Sequence, residues 1–170
     1  EKALRKKMRA VTLLEFLLYL GAAAFVIISA LLIYNNVMDS SKTSQAKTQI
    51  QTLMSGVRSL YAATGNYSSV SNSVVISAGI PPENMITSST TLTSPWGGAV
   101  TVSGAASTFT VSYANVPQDA CVDLLSSGVL NNSNVISVTV GSTTLTNSSD
   151  PAAAVTACSA AANNMVFTAR

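Results

Sequence analysis

The sequence predicts an α+β protein: one long N-terminal helix whose second half packs on an antiparallel sheet. Three observations lead there. Residues 11–34 (VTLLEFLLYLGAAAFVIISALLIY) are almost wholly apolar. Residues 35–65 keep helical spacing but carry only one apolar stripe. Residues 66–170 change to Ser, Thr, Asn, Val and Gly, punctuated by turn residues, as expected of a small β-rich head. A short basic stretch, residues 1–10, precedes all three.

The apolar segment has the length of a membrane span. Its residues make a helix of about 36 Å at about 1.5 Å per residue, against a hydrocarbon core of about 30 Å. Lys2, Arg5, Lys6, Lys7 and Arg9 all lie on its N-terminal side. The positive-inside bias then places residue 1 in the cytoplasm and the rest outside. A secretory signal peptide is the competing reading. Its apolar region is shorter and ends at a small-residue cleavage site. This segment instead runs without a break into Tyr34-Asn35-Asn36.

The helix is expected to continue past the span. From Asp39 to Ala63 there is no proline and one glycine, Gly56. Ala46, Ile50, Leu53, Met54, Val57, Leu60 and Tyr61 recur at three- and four-residue steps, which gives one buried stripe. Gly65-Asn66 is a stop signal. Beyond it, Ala99–Ser103 and Thr108–Tyr113 read as a hairpin about Gly104, and Val135–Val140 with Thr143–Leu145 as a second about Gly141-Ser142. Val116–Leu125 reads as a short helix with Pro117 in its first turn and Cys121, Leu124 and Leu125 on its apolar face. Met165–Thr168 is a candidate last strand. Asn131–Asn134 and Thr146–Asp150 read as surface loops.

Composition excludes several functions. The sequence contains no histidine, and its two cysteines are far apart, so ordinary zinc sites and histidine triads are ruled out. No phosphate-binding loop is present and no cofactor is expected. After residue 34 four cations face five anions. The basic character therefore belongs to the N-terminal tip, and a nucleic-acid surface is not expected. Cys121 and Cys158, in a domain placed outside the cytosol, are expected to form one disulfide, worth roughly 3–4 kcal/mol by chain-entropy reasoning. Trp96, between Pro95 and Gly97-Gly98, reads as a packing anchor. Asp119 and Asp123, four apart, read as a solvated helix face rather than a catalytic pair.

Glu15 is the sharpest feature. A carboxylate in an apolar span costs about 2.5–3.5 kcal/mol near the helix centre and less toward an end. Either it sits at the headgroup boundary in contact with water, or a cation of another subunit pairs with it once lipid is left behind. Val11-Thr12-Leu13-Leu14-Glu15-Phe16-Leu17 resembles the N-terminal signature of type IV prepilins. The sequences Gly65-Asn66-Tyr67-Ser68, Ser94-Pro95-Trp96-Gly97-Gly98 and Asn115-Val116-Pro117, followed by Cys121, narrow the resemblance to type IVb pilins. Within these it is most similar to thin-pilus subunits of conjugative plasmids and to bundle-forming and toxin-coregulated pilins.

The resemblance implies the pilin fold, no enzymatic activity, and a life in two places. The subunit waits in the bacterial inner membrane with its head in the periplasm. It then joins identical subunits in an extracellular helical filament serving adhesion, aggregation or conjugative contact. It also implies a prepilin peptidase, a pilus assembly machinery and methylation of the new N-terminus. With glutamate as the fifth mature residue, the cut falls between Ala10 and Val11, and Glu15 takes the assembly role. The family usually has glycine where Ala10 stands. Two expectations follow: a precursor that retains its leader, or processing before Glu1. In the second case Lys7 or Arg9 of a neighbour replaces the new amine as the partner of Glu15. A minor pilin or type II secretion pseudopilin is the nearest alternative. A membrane-anchored periplasmic binding or sensor domain is the alternative of another class.

Overall fold

The computed structural model describes the backbone of residues 2–131 and 134–170, and the side chains of these except residues 2–11, 32, 35 and 36. The chain divides into two compact units, Glu1–Asp39 and Ser40–Arg170. Helix α1 spans Lys2–Tyr61, 60 residues, and so contributes to both. In the first unit it is the only element. Its exposed apolar side chains include Leu13, Phe16, Leu20, Phe25 and Ile28.

The second unit begins at Ser40, and the second half of α1 belongs to its core. Ala46, Ile50, Leu53, Met54 and Val57 are buried, as the helical spacing predicts. Leu60 departs from the stripe and is 46% exposed. The helix ends one residue later, at Tyr61, which is partly buried against the core. Gly65, at φ +61°, closes the helix by donating its N–H to the Tyr61 carbonyl at 2.9 Å. That left-handed conformation is open to glycine at little cost.

The remaining elements are α2 (Asn72–Ser77), β1 (Leu92–Thr93), β2 (Ala99–Gly104), β3 (Phe109–Pro117), α3 (Gln118–Ser126), β4 (Val135–Val140), β5 (Thr143–Leu145), α4 (Pro151–Ala157) and β6 (Ala162–Ala169). Short 3₁₀ turns lie at Glu83–Met85 and Val129–Asn131. All six strands form one antiparallel sheet in the order β1-β2-β3-β6-β4-β5. Alternate residues of each strand face inward, and Val100, Val102, Phe109, Val111, Tyr113, Val138, Met165 and Phe167 are buried on that face. They share one core with the α1 stripe. The Tyr67 and Phe109 rings lie 5.0 Å apart at a tilt of 43°, and Tyr113 meets Phe167 edge-on at 6.1 Å.

Both hairpins form where the sequence places them. The last strand is longer than expected and lies at the centre of the sheet, between β3 and β4. Val116 and Pro117 differ from expectation. They continue β3, paired with Asn163 and Ala162 across a register shift near Asn115, whose φ is +56°. Helix α3 therefore starts at Gln118, with Pro117 as its N-cap residue. Helices α2 and α4 and strand β1 were not expected. Helix α4 lies just after the stretch read as a loop. The side chain of Asp150 accepts the Ala152 N–H at 2.8 Å and Pro151 opens the first turn, so both start signals are present in the sequence.

One side chain substitutes for a strand. Asn72, in α2, donates to the Val100 carbonyl at 3.0 Å and accepts from the Val102 N–H at 2.7 Å. It thereby pairs the edge of β2 beyond the two residues of β1. Gly104, nearby, allows the chain at Tyr67 to cross in direct backbone contact, because a Cβ there would lie 1.7 Å from the Tyr67 carbonyl oxygen.

Candidate functional site

The first candidate region is the apolar segment of α1. Thr12–Leu31 is long and apolar enough to cross a membrane, with mean hydropathy 2.2, and none of it is buried within the fold. Its serine is internally satisfied: Ser29 Oγ donates to the Phe25 carbonyl at 2.9 Å, one turn back along the helix. A hydroxyl bonded in this way can enter an apolar surround without an orphan donor. Glu15 lies exposed within this segment, near its N-terminal end. It is the only ionisable carboxylate from Thr12 to Leu31. Ala10 and Val11 lie on the helical backbone of α1, and their side chains are outside the described residues.

The second region is bounded by the disulfide. Cys121 of α3 and Cys158, just after α4, are bonded, with Cα atoms 5.9 Å apart and a sequence separation of 37. Both are fully buried. The bond holds the two helices together at the β4–β5 end of the sheet. A surface cavity of about 240 Å³ opens beside them, lined by Leu125, Asn131, Leu145, Thr146, Asp150 and Ala154 among others. Its apolar floor and hydroxyl rim contain one carboxylate, which is already engaged in capping α4. Among the described residues no group of three or more histidine, cysteine, aspartate or glutamate side chains is placed to hold a metal.

Other residues singled out from sequence take structural places. Trp96 is half-buried against the core. Asp119 is exposed. Asp123 is more than a solvated face: its carboxylate accepts a charge-assisted hydrogen bond from Lys47 Nζ at 2.9 Å, tying α3 to α1. The two residues are 76 positions apart, so no local pattern reveals the pair. Sequence reading also missed two buried polar atoms without a hydrogen-bond partner, Gln49 Oε1 and Tyr113 Oη. Burial pushes the Tyr113 phenol well above its ordinary range.

A long helix with an apolar half, a one-layer antiparallel sheet on its second half and a disulfide-bounded C-terminal region form a recognisable combination. The family model described as PilS N terminal matches residues 40–170, the whole second unit. The chain belongs to that family and is a type IV pilin of the b type. The pilin is 26% identical over 162 residues to the major structural subunit of bundle-forming pilus from Escherichia coli O111:H-, covering 90% of this chain and 84% of that one. Its fold is that of a type IV b pilin from Salmonella typhi, with a TM-score of 0.60 at 24% identity, over 73% of this chain and 97% of that chain. It is also that of TcpA, a type IV pilin from Vibrio cholerae El Tor biotype, with a TM-score of 0.53 at 14% identity, over 76% and 99% of the two chains.

Proposed function

We propose that this pilin is a major structural subunit that polymerises through its N-terminal helix into an extracellular type IVb pilus. The observation that carries the reading is the wholly unburied apolar segment Thr12–Leu31 with its single carboxylate, Glu15. Such a surface needs an apolar surround. Lipid supplies it first, with the cations of residues 2–9 holding the N-terminus in the cytoplasm and the head in the periplasm. Packing against the same segment of identical subunits supplies it afterwards. The relative named above is a structural subunit rather than an enzyme, which supports a structural role here as well.

Glu15 sets register in this reading. Moving helices from lipid into a packed core leaves its carboxylate at low dielectric, where a neighbour's cation stabilises it. Removing one partner of such a pair costs about 3–5 kcal/mol. Cleavage between Ala10 and Val11 by a prepilin peptidase creates an amine that can serve, and methylation keeps its charge. If residues 1–10 are retained, Lys7 or Arg9 of a neighbour serves instead. The filament acts through its surface, in adhesion, aggregation or mating contact.

The test is to shear surface filaments, image them by electron microscopy and measure the subunit mass. Filaments whose subunit begins at Val11, and which are lost or irregular in Glu15→Ala, are the expected outcome. Regular filaments from Glu15→Ala sink the register role. Detergent-soluble monomers with no filament in the native strain favour a membrane-anchored binding domain. A mass that includes residues 1–10 removes the Ala10–Val11 cut.

A further inference from the structure

Four polar side chains interrupt the apolar segment Thr12–Leu31: Thr12, Glu15, Tyr19 and Ser29. Ser29 bonds to its own helix and Thr12 is also engaged. Glu15 and Tyr19 face open space in the single chain, Tyr19 with 68% of its surface exposed, and are not bonded to each other. They are four residues apart, so they lie on one face of α1, one turn from each other. Long helical side chains lean toward the N-terminus, which carries the Tyr19 ring over the turn that holds Glu15. Tyr19 is also too deep for an interfacial aromatic. It lies seven residues, about 10 Å, inside Thr12, whereas Tyr34 follows Leu31 at the other end and has the place of a membrane-boundary ring.

We propose that Tyr19 positions Glu15 in the filament: once the segment is packed among other subunits, the Tyr19 phenol donates a hydrogen bond to the Glu15 carboxylate of the same helix. The proposal rests on the polymerisation reading and adds a second residue to its central site. A buried phenol needs an acceptor. The helix's own ladder takes up the backbone carbonyls of the segment, and Ser29 is ten residues, about 15 Å, further along. Glu15 is the acceptor within reach, and an ionised acceptor makes the stronger bond. A carboxylate accepts more than one hydrogen bond, so one oxygen held by Tyr19 leaves the other for the cation of a neighbour. The bond also separates the two surroundings. In the bilayer Glu15, three residues from the end of the segment, reaches headgroup water and needs no internal donor. In a packed core that water is gone, and Tyr19 replaces it. An interaction made only after assembly favours assembly, because it stabilises one state and not the other. Ala22 and Ala23 continue the same face with small side chains, which lets a neighbouring helix come close to the pair.

The test compares filaments with bilayer-embedded subunits by solid-state NMR, both labelled with carbon-13 at tyrosine Cζ and at the glutamate carboxyl. The expected result is a Tyr–Glu cross-peak in native filaments that is absent from the pilin in lipid bilayers and from Tyr19→Phe filaments. It persists when labelled subunits are diluted among unlabelled ones, since both atoms belong to one chain. Tyr19→Phe keeps the ring and loses only the donor, and its yield of sheared filaments falls roughly tenfold, the worth of one hydrogen bond to a charged group. Tyr34→Phe, which removes a similarly exposed hydroxyl beyond the segment, leaves yield and cross-peak as they are. If Tyr19→Phe alone forms too few filaments, labelled Tyr19→Phe subunits co-assembled with unlabelled native ones serve instead, and no cross-peak is expected. The proposal is overturned if native filaments lack the cross-peak, if dilution removes it, or if it is already present in bilayers. It is overturned too if Tyr19→Phe filaments keep the cross-peak or form at native yield. Absence of any native filament is a separate result and rejects polymerisation itself.

Discussion

The two halves of α1 are continuous in backbone and opposite in surroundings. From Thr12 to Leu31 the helix is apolar on every side and none of it is buried. From Ser40 to Tyr61 it has one apolar stripe, buried in the head from Ala46 to Val57, while Ser41, Ser44, Gln45 and Thr48 remain exposed. The second half gains its stability from the head it packs on. The first half contributes nothing to that core and is left to meet lipid or other subunits. Side chains of equal hydrophobicity thus have different uses, set by whether a sheet lies over them.

That contrast can be broken at Leu53, which is fully buried, against Leu17, which is 59% exposed. Leu53→Ala is expected to lower head stability by about 2–5 kcal/mol, as core truncations do. Leu17→Ala should shift it by no more than about 0.5 kcal/mol, as surface changes do. Urea unfolding of the detergent-solubilised pilin checks both, and similar losses at the two sites end the distinction. The disulfide comes next. Cys158→Ser should cost about 2–5 kcal/mol, read as a lower unfolding midpoint, and should loosen α3 and α4 ahead of the α1 stripe in hydrogen exchange.

Gly56 sharpens the comparison within the second half. A Cβ there would fall 2.2 Å from Ile80 Cγ2, the methyl on its branch point, with Cγ1 and Cβ at 3.1 and 3.2 Å, so the whole side chain must shift. Gly56→Ala is therefore expected to destabilise by about 1–3 kcal/mol through overpacking, offset in part by alanine's helix preference. Gly21, in the first half, has no atom within 4 Å of such a Cβ, so Gly21→Ala should leave the thermal midpoint of the head unchanged.

Tyr113 tests the core by pH. Its buried phenol holds its proton more tightly than in the unfolded chain, where the pKa is about 10. Below that pH the unfolded and folded states carry the same proton and stability is flat. Above it the unfolded state releases the proton first, so stability falls as pH rises. Tyr113→Phe should remove the orphan hydroxyl, abolish this residue's share of the alkaline loss and change neutral-pH stability by only about 1 kcal/mol. Denaturant midpoints from pH 8 to pH 11 measure it. The smallest effect belongs to Lys47 and Asp123, whose side chains are 28% and 56% exposed. Lys47→Ala should cost about 0–1 kcal/mol after solvent screening, and less in high salt.

What the sequence disclosed follows the range of the interactions. The apolar segment, the α1 stripe and the two hairpins are local patterns of period 3.6 or 2, and residues within a few positions determine them. The strand order is not local. Nothing near residue 165 indicates that β6 enters between β3 and β4. Val116 and Pro117 read as a helix start because their long-range partners, Asn163 and Ala162, are invisible from the sequence around them. The start of α4 is a different failure, since Asp150-Pro151 is a legible helix start that the surrounding Ser and Asn residues obscured. Within the candidate site, Glu15 and the cysteines stand out by chemistry alone. The Lys47–Asp123 pair and Asn72 at the β2 edge exist only once distant segments meet.

In the proposed topology, the central place of β6 has a consequence for export. A chain threaded outward from an anchored N-terminus delivers β2 and β3 first, then β4 and β5, as two separate hairpins. Neither is joined to the other until residues 162–169 have crossed, because β6 alone bonds to both. The head then closes late and in a single step, with loop-closure entropy delaying the event. Until then the two hairpins share no strand pairing, and among the elements already delivered α1 is the one whose stripe shares a core with their inward faces. The last strand then slots in as a wedge between the halves.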